Sequence, residues 1–185
     1  MRTSTTVKAI AALGTLSGAL WAGTFASFSD TQTATSAFSA GTVDLQLNRT
    51  AGATYTFTSL SLSAMKPGDA VYAPLTVSNV GTLPYTYAMT SSASNADGKG
   101  LASSLVLGMK VVANAGACDS GGAGYAASST TVVAEGALGS AAISSRSLAA
   151  GASEVLCTYV SLPSNAANSL QGATTTDTLT FTATS

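Results

Sequence analysis

The sequence predicts an all-β fold, a two-sheet antiparallel β-sandwich preceded by a cleavable N-terminal signal helix. Three observations lead there. Beyond residue 26, about nine short stretches alternate apolar and polar residues with the two-residue period of a strand. Turn signals built from Gly, Pro and Asn separate these stretches. No segment in that part carries a convincing amphipathic helical pattern.

The first element is the leader. Arg2 and Lys8 supply a positive end, no residue from Ala9 to Ala26 is charged, and Leu13, Leu16, Leu20 and Trp21 are its bulky members. Thr24-Phe25-Ala26 puts small residues where a signal peptidase requires them, so the expected cut lies between Ala26 and Ser27. The alternative is an uncleaved anchor. Gly14, Gly18 and Gly23 dilute the apolarity below that of a spanning helix of roughly 20 residues. Residues 27–41 then form a polar arm. Phe28, Ala34 and Phe38 share one parity and would project from one side of an extended chain, although Asp30 and Gln32 interrupt the pattern. The ten-residue step from Phe28 to Phe38 spans about 33 Å when extended, the length of a sandwich strand and more. Such an arm can add a strand to an exposed sheet edge of another subunit, with Phe28 and Phe38 as anchors. A head-to-tail contact of that kind repeats into an open filament. The plain alternative is a disordered terminus.

The sandwich proper is expected over 42–185. Thr42 to Asn48 alternates with Val43, Leu45 and Leu47 on one face. Thr54 to Leu62 changes parity after Tyr55 and Phe57, which predicts a bulge or a bend near Ser59. Pro67, Gly68 and Asp69 predict a type II turn, with Pro fixing φ at the second position and Gly accepting a positive φ at the third. Val71, Ala73, Leu75 and Val77 define the next strand, and Pro74 on its opposite parity predicts an edge or a bulge. After the turn Asn79-Val80-Gly81-Thr82, a strand is expected through Leu83, Tyr85, Tyr87 and Met89. Ser91 to Ser104 reads as a loop with a helical turn near Leu101, and Leu105, Leu107, Met109 and Val111 as a strand. In the Gly/Ala/Ser-rich run from Ala115 to Ser129, only Cys118 is expected to be tied down. Thr130 to Ala134 and Ala142 to Leu148 are weak strand signals. Glu154 to Leu162 is apolar on both faces and should be deeply buried. Pro163 to Asn168 suits a helical turn, and the chain closes on a strand with Leu179, Phe181 and Ala183 opposite threonines.

Composition narrows the function. Removing the leader takes two of seven basic residues and leaves five against eight acidic ones, a net charge of −3. That argues against a nucleic-acid partner and against attachment to anionic lipid. Only 8% of residues are charged, and weak self-repulsion favours association. Histidine is absent, which removes the commonest general base and metal ligand. Cys118 and Cys157, the only two cysteines of an exported chain, are expected to form one disulfide. A metal or reactive-thiol site would lack partners, since there is no CxxC.

Catalysis finds little to use. A zinc hydrolase needs three ligands, an open position and a general base, yet no HExxH exists and the acids stand singly. No Gly-x-Ser-x-Gly elbow presents a serine. Asp97-Gly98-Lys99 and Asp119 lie in loops that could hold calcium, but no series of six to eight oxygens is visible. Solvated loop acids are the simpler reading. No apolar, basic-ended tail follows Leu162-Pro163-Ser164-Asn165, so it reads as a strand end and turn, not a wall-anchoring signal. No cofactor and no small-molecule substrate are expected.

Three stretches carry a resemblance: "GTFASFSDTQT" with "FSAGTVDLQL", "MKPGDAVYAPLTVSNVGTLPYTYAM", and "LPSNAANSLQGATTTDTLTFTAT". They are similar to the TasA and camelysin family of secreted Gram-positive proteins, whose leaders are cut by a SipW-type signal peptidase. The resemblance implies a jelly-roll-like sandwich. Periodicity alone leaves an immunoglobulin-like sandwich open, though the tryptophan expected inside the latter is missing once Trp21 leaves. The resemblance also implies a secreted structural protein at the cell surface or in the biofilm matrix. There, copies of the chain join as a fibre by β-strand donation, with a second matrix or anchoring protein as a further partner. The alternatives are a monomeric binding module, a surface protein held by its uncut leader, and a camelysin-type metalloprotease. Lack of histidine speaks against the last.

Overall fold

The computed structural model describes residues 40–51 and 65–185. The predicted leader, the arm as far as Ser39 with both of its phenylalanines, and the strand expected over 54–62 lie outside the described residues.

The described strands are β1 (Leu45–Leu47), β2 (Thr50–Ala51), β3 (Ala70–Asn79), β4 (Tyr85–Ala93), β5 (Val106–Val112), β6 (Thr131–Ala137), β7 (Ala142–Leu148), β8 (Ser153–Ser161) and β9 (Asp177–Thr184). They form a six-stranded sheet in the order β2-β1-β3-β8-β5-β6 and a three-stranded sheet in the order β7-β4-β9. All pairings are antiparallel. The pairs β3–β8, β4–β7 and β5–β6 nest inside one another along the chain and fall in the larger, the smaller and again the larger sheet. A ribbon of antiparallel pairs rolled over two sheets is jelly-roll wiring. Its innermost link, residues 113–130, caps the outside of the larger sheet and makes no further hairpin.

Strand parity decides which side chains meet between the sheets. Leu75 and Val77 of β3, Leu107 and Met109 of β5, and Leu156 and Val160 of β8 face Tyr87 and Met89 of β4, Ile143 of β7, and Leu179 and Phe181 of β9. Each fully buried large side chain of this kind contributes about 1.5–3 kcal/mol. The Tyr87 and Phe181 rings pack with centroids 6.1 Å apart. Tyr87 keeps its polar end satisfied: its hydroxyl donates to Glu154 Oε1 at 2.8 Å, and the same carboxylate is paired with Arg146. Burial, then that hydrogen bond, pushes the Tyr87 phenol well up.

β8 lies in the middle of the larger sheet with both faces covered, as its two apolar parities require. Its outward residues Val155, Cys157 and Tyr159 pack with Val112, Cys118, Tyr72 and Tyr125 beneath the cap. That cap corrects the reading of 115–129. Besides Cys118, the chain is held by a 3-10 turn at Ala115–Ala117, by α2 (Ala123–Ala127) and by the buried Tyr125. Small residues gave no periodic signal there, but they let backbone touch backbone: a Cβ on Gly124 would lie on the Ala117 carbonyl oxygen.

Other differences are local. β1 is shorter than expected, because 42–44 bind a turn rather than a strand, and Asn48-Arg49 close a two-residue hairpin with φ of 48° and 66°. That is the φ > 0 pair a tight hairpin favours. β4 begins at Tyr85, leaving Leu83 in the turn, and runs on to Ala93. The helical turn α1 spans Leu101–Ser104, and the one expected at 163–168 falls at Asn168–Leu170. β1 pairs only with residues 77–79 of β3, so Pro74 has a strand on one side alone among the described residues.

At the start of β9, Asp177 is partly buried, and that burial raises its carboxyl above the usual range. Ser91 Oγ lies 2.6 Å from the Leu138 carbonyl and 2.7 Å from Asp177 Oδ1. One hydroxyl has one hydrogen to give, so Ser91 is shared between two acceptors, and its hydrogen bond with those from the backbone of Ser92 and Thr178 offsets only part of the burial. The folded state therefore binds this proton more tightly than the unfolded state. Stability must fall as pH rises from the ordinary carboxyl value through the raised one, and stay level above it. Asp177→Asn is expected to abolish that slope and to stabilise the fold at neutral pH by under about 1 kcal/mol, since the group is only partly buried and its charge is screened. Urea titrations of both proteins across the acidic range measure it.

Candidate functional site: the root of the arm and the outer edge of β9

Where the described chain begins, it lies on the turn after β3. Asn79, 1% exposed, organises that turn. Its Nδ2 donates to the carbonyls of Leu83 (2.9 Å) and Leu148 (3.1 Å), its Oδ1 accepts from Gly81 N (3.0 Å), and its own N–H donates to Ala152 O. One side chain thus closes the turn and ties it to the β7–β8 connection.

Residues 42–44 dock on this support through backbone. Val80 N donates to Asp44 O (3.0 Å), Thr82 N and Leu83 N donate to Thr42 O (2.9 and 3.2 Å), and Thr42 N donates to Thr82 Oγ1 (2.9 Å). The contact needs a glycine, because a Cβ at Gly81 would sit 2.3 Å from Thr42 O. Asn79-Val80-Gly81-Thr82-Leu83, which reads in the sequence only as a turn, is a clamp on the base of the arm. The long-range partner left no periodic signal. The exposed large hydrophobic residues recorded among the described residues, Val43, Val80 and Leu83, all belong to this clamp. They form an apolar rim where the arm leaves the sandwich.

The sheet margins differ in kind. β2 has two residues. β6 and β7 carry register shifts against β5 and β4, where Ser144 and Ser145 together oppose Ala88. Bulges of this type twist an edge away from further pairing. β9 pairs with β4 over eight residues without a break, from Asp177 opposite Ala93 to Thr184 opposite Thr86. It contains no Pro and no Lys, its threonines 178, 180, 182 and 184 are exposed, and no described strand pairs with its outer side. A long, regular edge with a single acidic residue at its start is a template for another strand.

The remaining candidate residues have structural partners. Cys118 and Cys157 are joined as a disulfide, Cα atoms 5.3 Å apart. Pro67 and Gly68 occupy the centre of a turn in which Asp69 N donates to Lys66 O (2.9 Å) and Lys66 N to Asp69 Oδ2 (2.7 Å). Gly68 has φ 95°, and its N–H donates to Leu162 O. Ala26, Ser27, Phe28 and Phe38 lie outside the described residues. The loop acids considered for calcium are already engaged. Asp97 accepts from Thr174 N and Lys99 N, which hold its carboxyl below the usual range, and Asp119 accepts from Ala123 N.

A catalytic zinc would need several of these carboxylates in one place. Among the described residues no three side chains of His, Cys, Asp or Glu converge. Glu154 is committed to Arg146 and Tyr87, and Glu135 accepts from the Tyr125 hydroxyl. The described residues therefore do not fit such a metal.

Residues 3–119 match the model of the camelysin metallo-endopeptidase family. No curated protein matches the chain.

Proposed function

Because the chain belongs to the camelysin metallo-endopeptidase family, and because its exposed large hydrophobics gather at the root of the arm, we propose that it is a secreted structural protein. Its copies join head to tail into an extracellular or matrix fibre by β-strand donation. In this reading a SipW-type peptidase cuts between Ala26 and Ser27. The freed arm of one copy then pairs with the outer edge of β9 in the next, with Phe28 and Phe38 as anchors. The carrying observation is the apolar rim of Val43, Val80 and Leu83. Exposed apolar patches on an otherwise polar surface mark contact sites, and this one lies where an arriving neighbour would meet the departing arm. The unbroken β9 edge supports the choice of acceptor, and the low charge of the chain supports association.

Electron microscopy of the mature chain beside a form lacking residues 27–39 tests the reading. Fibres are expected from the first and monomers from the second; fibres from both would overturn it. Thr180→Lys with Thr182→Lys, which charges the β9 margin, is expected to leave a folded monomer that no longer elongates. The family description favours a second reading, a metal-dependent endopeptidase. Casein digestion by the purified chain, with and without a chelator, decides between them.

A further inference from the structure

Beneath the cap, three tyrosines meet on the outer face of the larger sheet. Tyr72 of β3 and Tyr159 of β8 are directly opposed in register, with ring centroids 5.1 Å apart and planes inclined by 36°. That is near the short end of the roughly 4.5–7 Å range in which aromatic pairs pack. Tyr125 of α2 stands 5.2 Å from Tyr159 and 5.7 Å from Tyr72. We propose that Tyr72 and Tyr159 are an oxidative cross-linking site, joined through ring carbons as dityrosine when a peroxidase and hydrogen peroxide act on the folded protein.

The partners are singled out by their surroundings. Both residues are half-buried, so each keeps part of its surface in solvent, and no hydrogen bond from either hydroxyl is found among the described residues. Tyr125 is 5% exposed, donates its hydroxyl to Glu135 at 3.2 Å, and carries the Lys110 ammonium 4.7 Å from its ring centroid. A cation over the ring face opposes loss of an electron from it. The strand pairing also holds the two reacting rings side by side, so coupling within one molecule precedes encounter with another.

Each phenol gives up one electron and its hydroxyl proton. The two radicals join through carbons ortho to oxygen, and the hydrogen on each joined carbon moves to its own oxygen, restoring both phenols. Two electrons and two protons leave in all and reduce one hydrogen peroxide to two waters. The new bond ties β3 to β8 beside the Cys118–Cys157 disulfide, a second covalent brace under the same cap.

The test treats the mature chain with peroxidase and hydrogen peroxide, followed by denaturing electrophoresis and peptide mapping. Dityrosine fluorescence is expected in the monomer-sized band, with a mass lower by two hydrogens and a mapped link between the peptides holding Tyr72 and Tyr159. Tyr72→Phe and Tyr159→Phe keep the rings that pack and should each lose the monomer fluorescence almost entirely, while Tyr125→Phe retains it. Circular dichroism verifies that each variant is folded, and the wild-type map stands whether or not a variant folds. Fluorescence confined to dimers and larger species, or a map whose link omits Tyr72 or Tyr159, would overturn the proposal.

Discussion

Replacing Cys118 and Cys157 together by alanine is expected to lower the stability of the sandwich by about 3–4 kcal/mol, the chain-entropy value for a loop closed between positions 39 residues apart. For a chain of this size that corresponds to a fall in melting temperature of roughly 6–16 °C. The reason lies in what the bond joins. Cys157 is wholly buried on the central strand β8, whereas Cys118 ends a 3-10 turn in a cap built almost entirely of small residues. Beyond the bond, the cap is held by the packing of Tyr125 against Tyr72 and Tyr159, by the Ser128 hydroxyl donating to Val111 O, and by Val111 N donating to Thr130 O. Net contributions of about 0.5–1.5 kcal/mol from each such hydrogen bond are smaller than the entropy released when the loop opens. Urea unfolding of the double variant should coincide with that of the wild type in reductant. A double variant within about 1 kcal/mol of the oxidised wild type would mean that the rings alone hold the cap.

Which parts of this molecule can be read from its sequence follows from where each strand lies. β3, β8 and β9 announce themselves because a buried face forces a strict period of two. For β8 the second face is also covered, so its double apolar pattern reads as depth. β6 and β7 are faint because they are margins. Each buries little more than one or two side chains, such as Val133 of β6 and Ile143 and Leu148 of β7, and each has a bulge that shifts parity partway along. The cap is silent for a different reason. Gly122 and Gly124 are needed because chain passes directly over Tyr72 and Ala117, and close approach leaves no periodicity. The arm root fails in the same way. Asn79 and Gly81 look like any turn, and the segment that they hold, 42–44, lies some forty residues earlier in the chain. The jelly-roll wiring came only from family resemblance, since nested pairs are a property of the whole chain and not of any window.

Gly81→Ala is expected to cost about 2–4 kcal/mol and to free the base of the arm while leaving the sheets intact. The added methyl would lie 2.3 Å from Thr42 O and 2.8 Å from Asp44 N, both backbone atoms that cannot rotate away. Overpacking of this kind costs roughly 1–3 kcal/mol. Relieving it by lifting 42–44 gives up the bonds from Val80, Thr82 and Leu83 to that segment, at about 0.5–1.5 kcal/mol each. Gly81 is not in the left-handed region, so its conformation does not forbid alanine and the cost is purely one of space. Gly41→Ala provides the contrast. The three atoms nearest its methyl all belong to the side chain of Leu83, which is 39% exposed and can turn outward, so the loss there should stay under about 1 kcal/mol. Hydrogen exchange separates local from global effects: in Gly81→Ala the amides of Val80, Thr82 and Leu83 should lose protection while those between β3 and β8 keep it. If those three amides stay protected, the clamp does not depend on the bare backbone of Gly81.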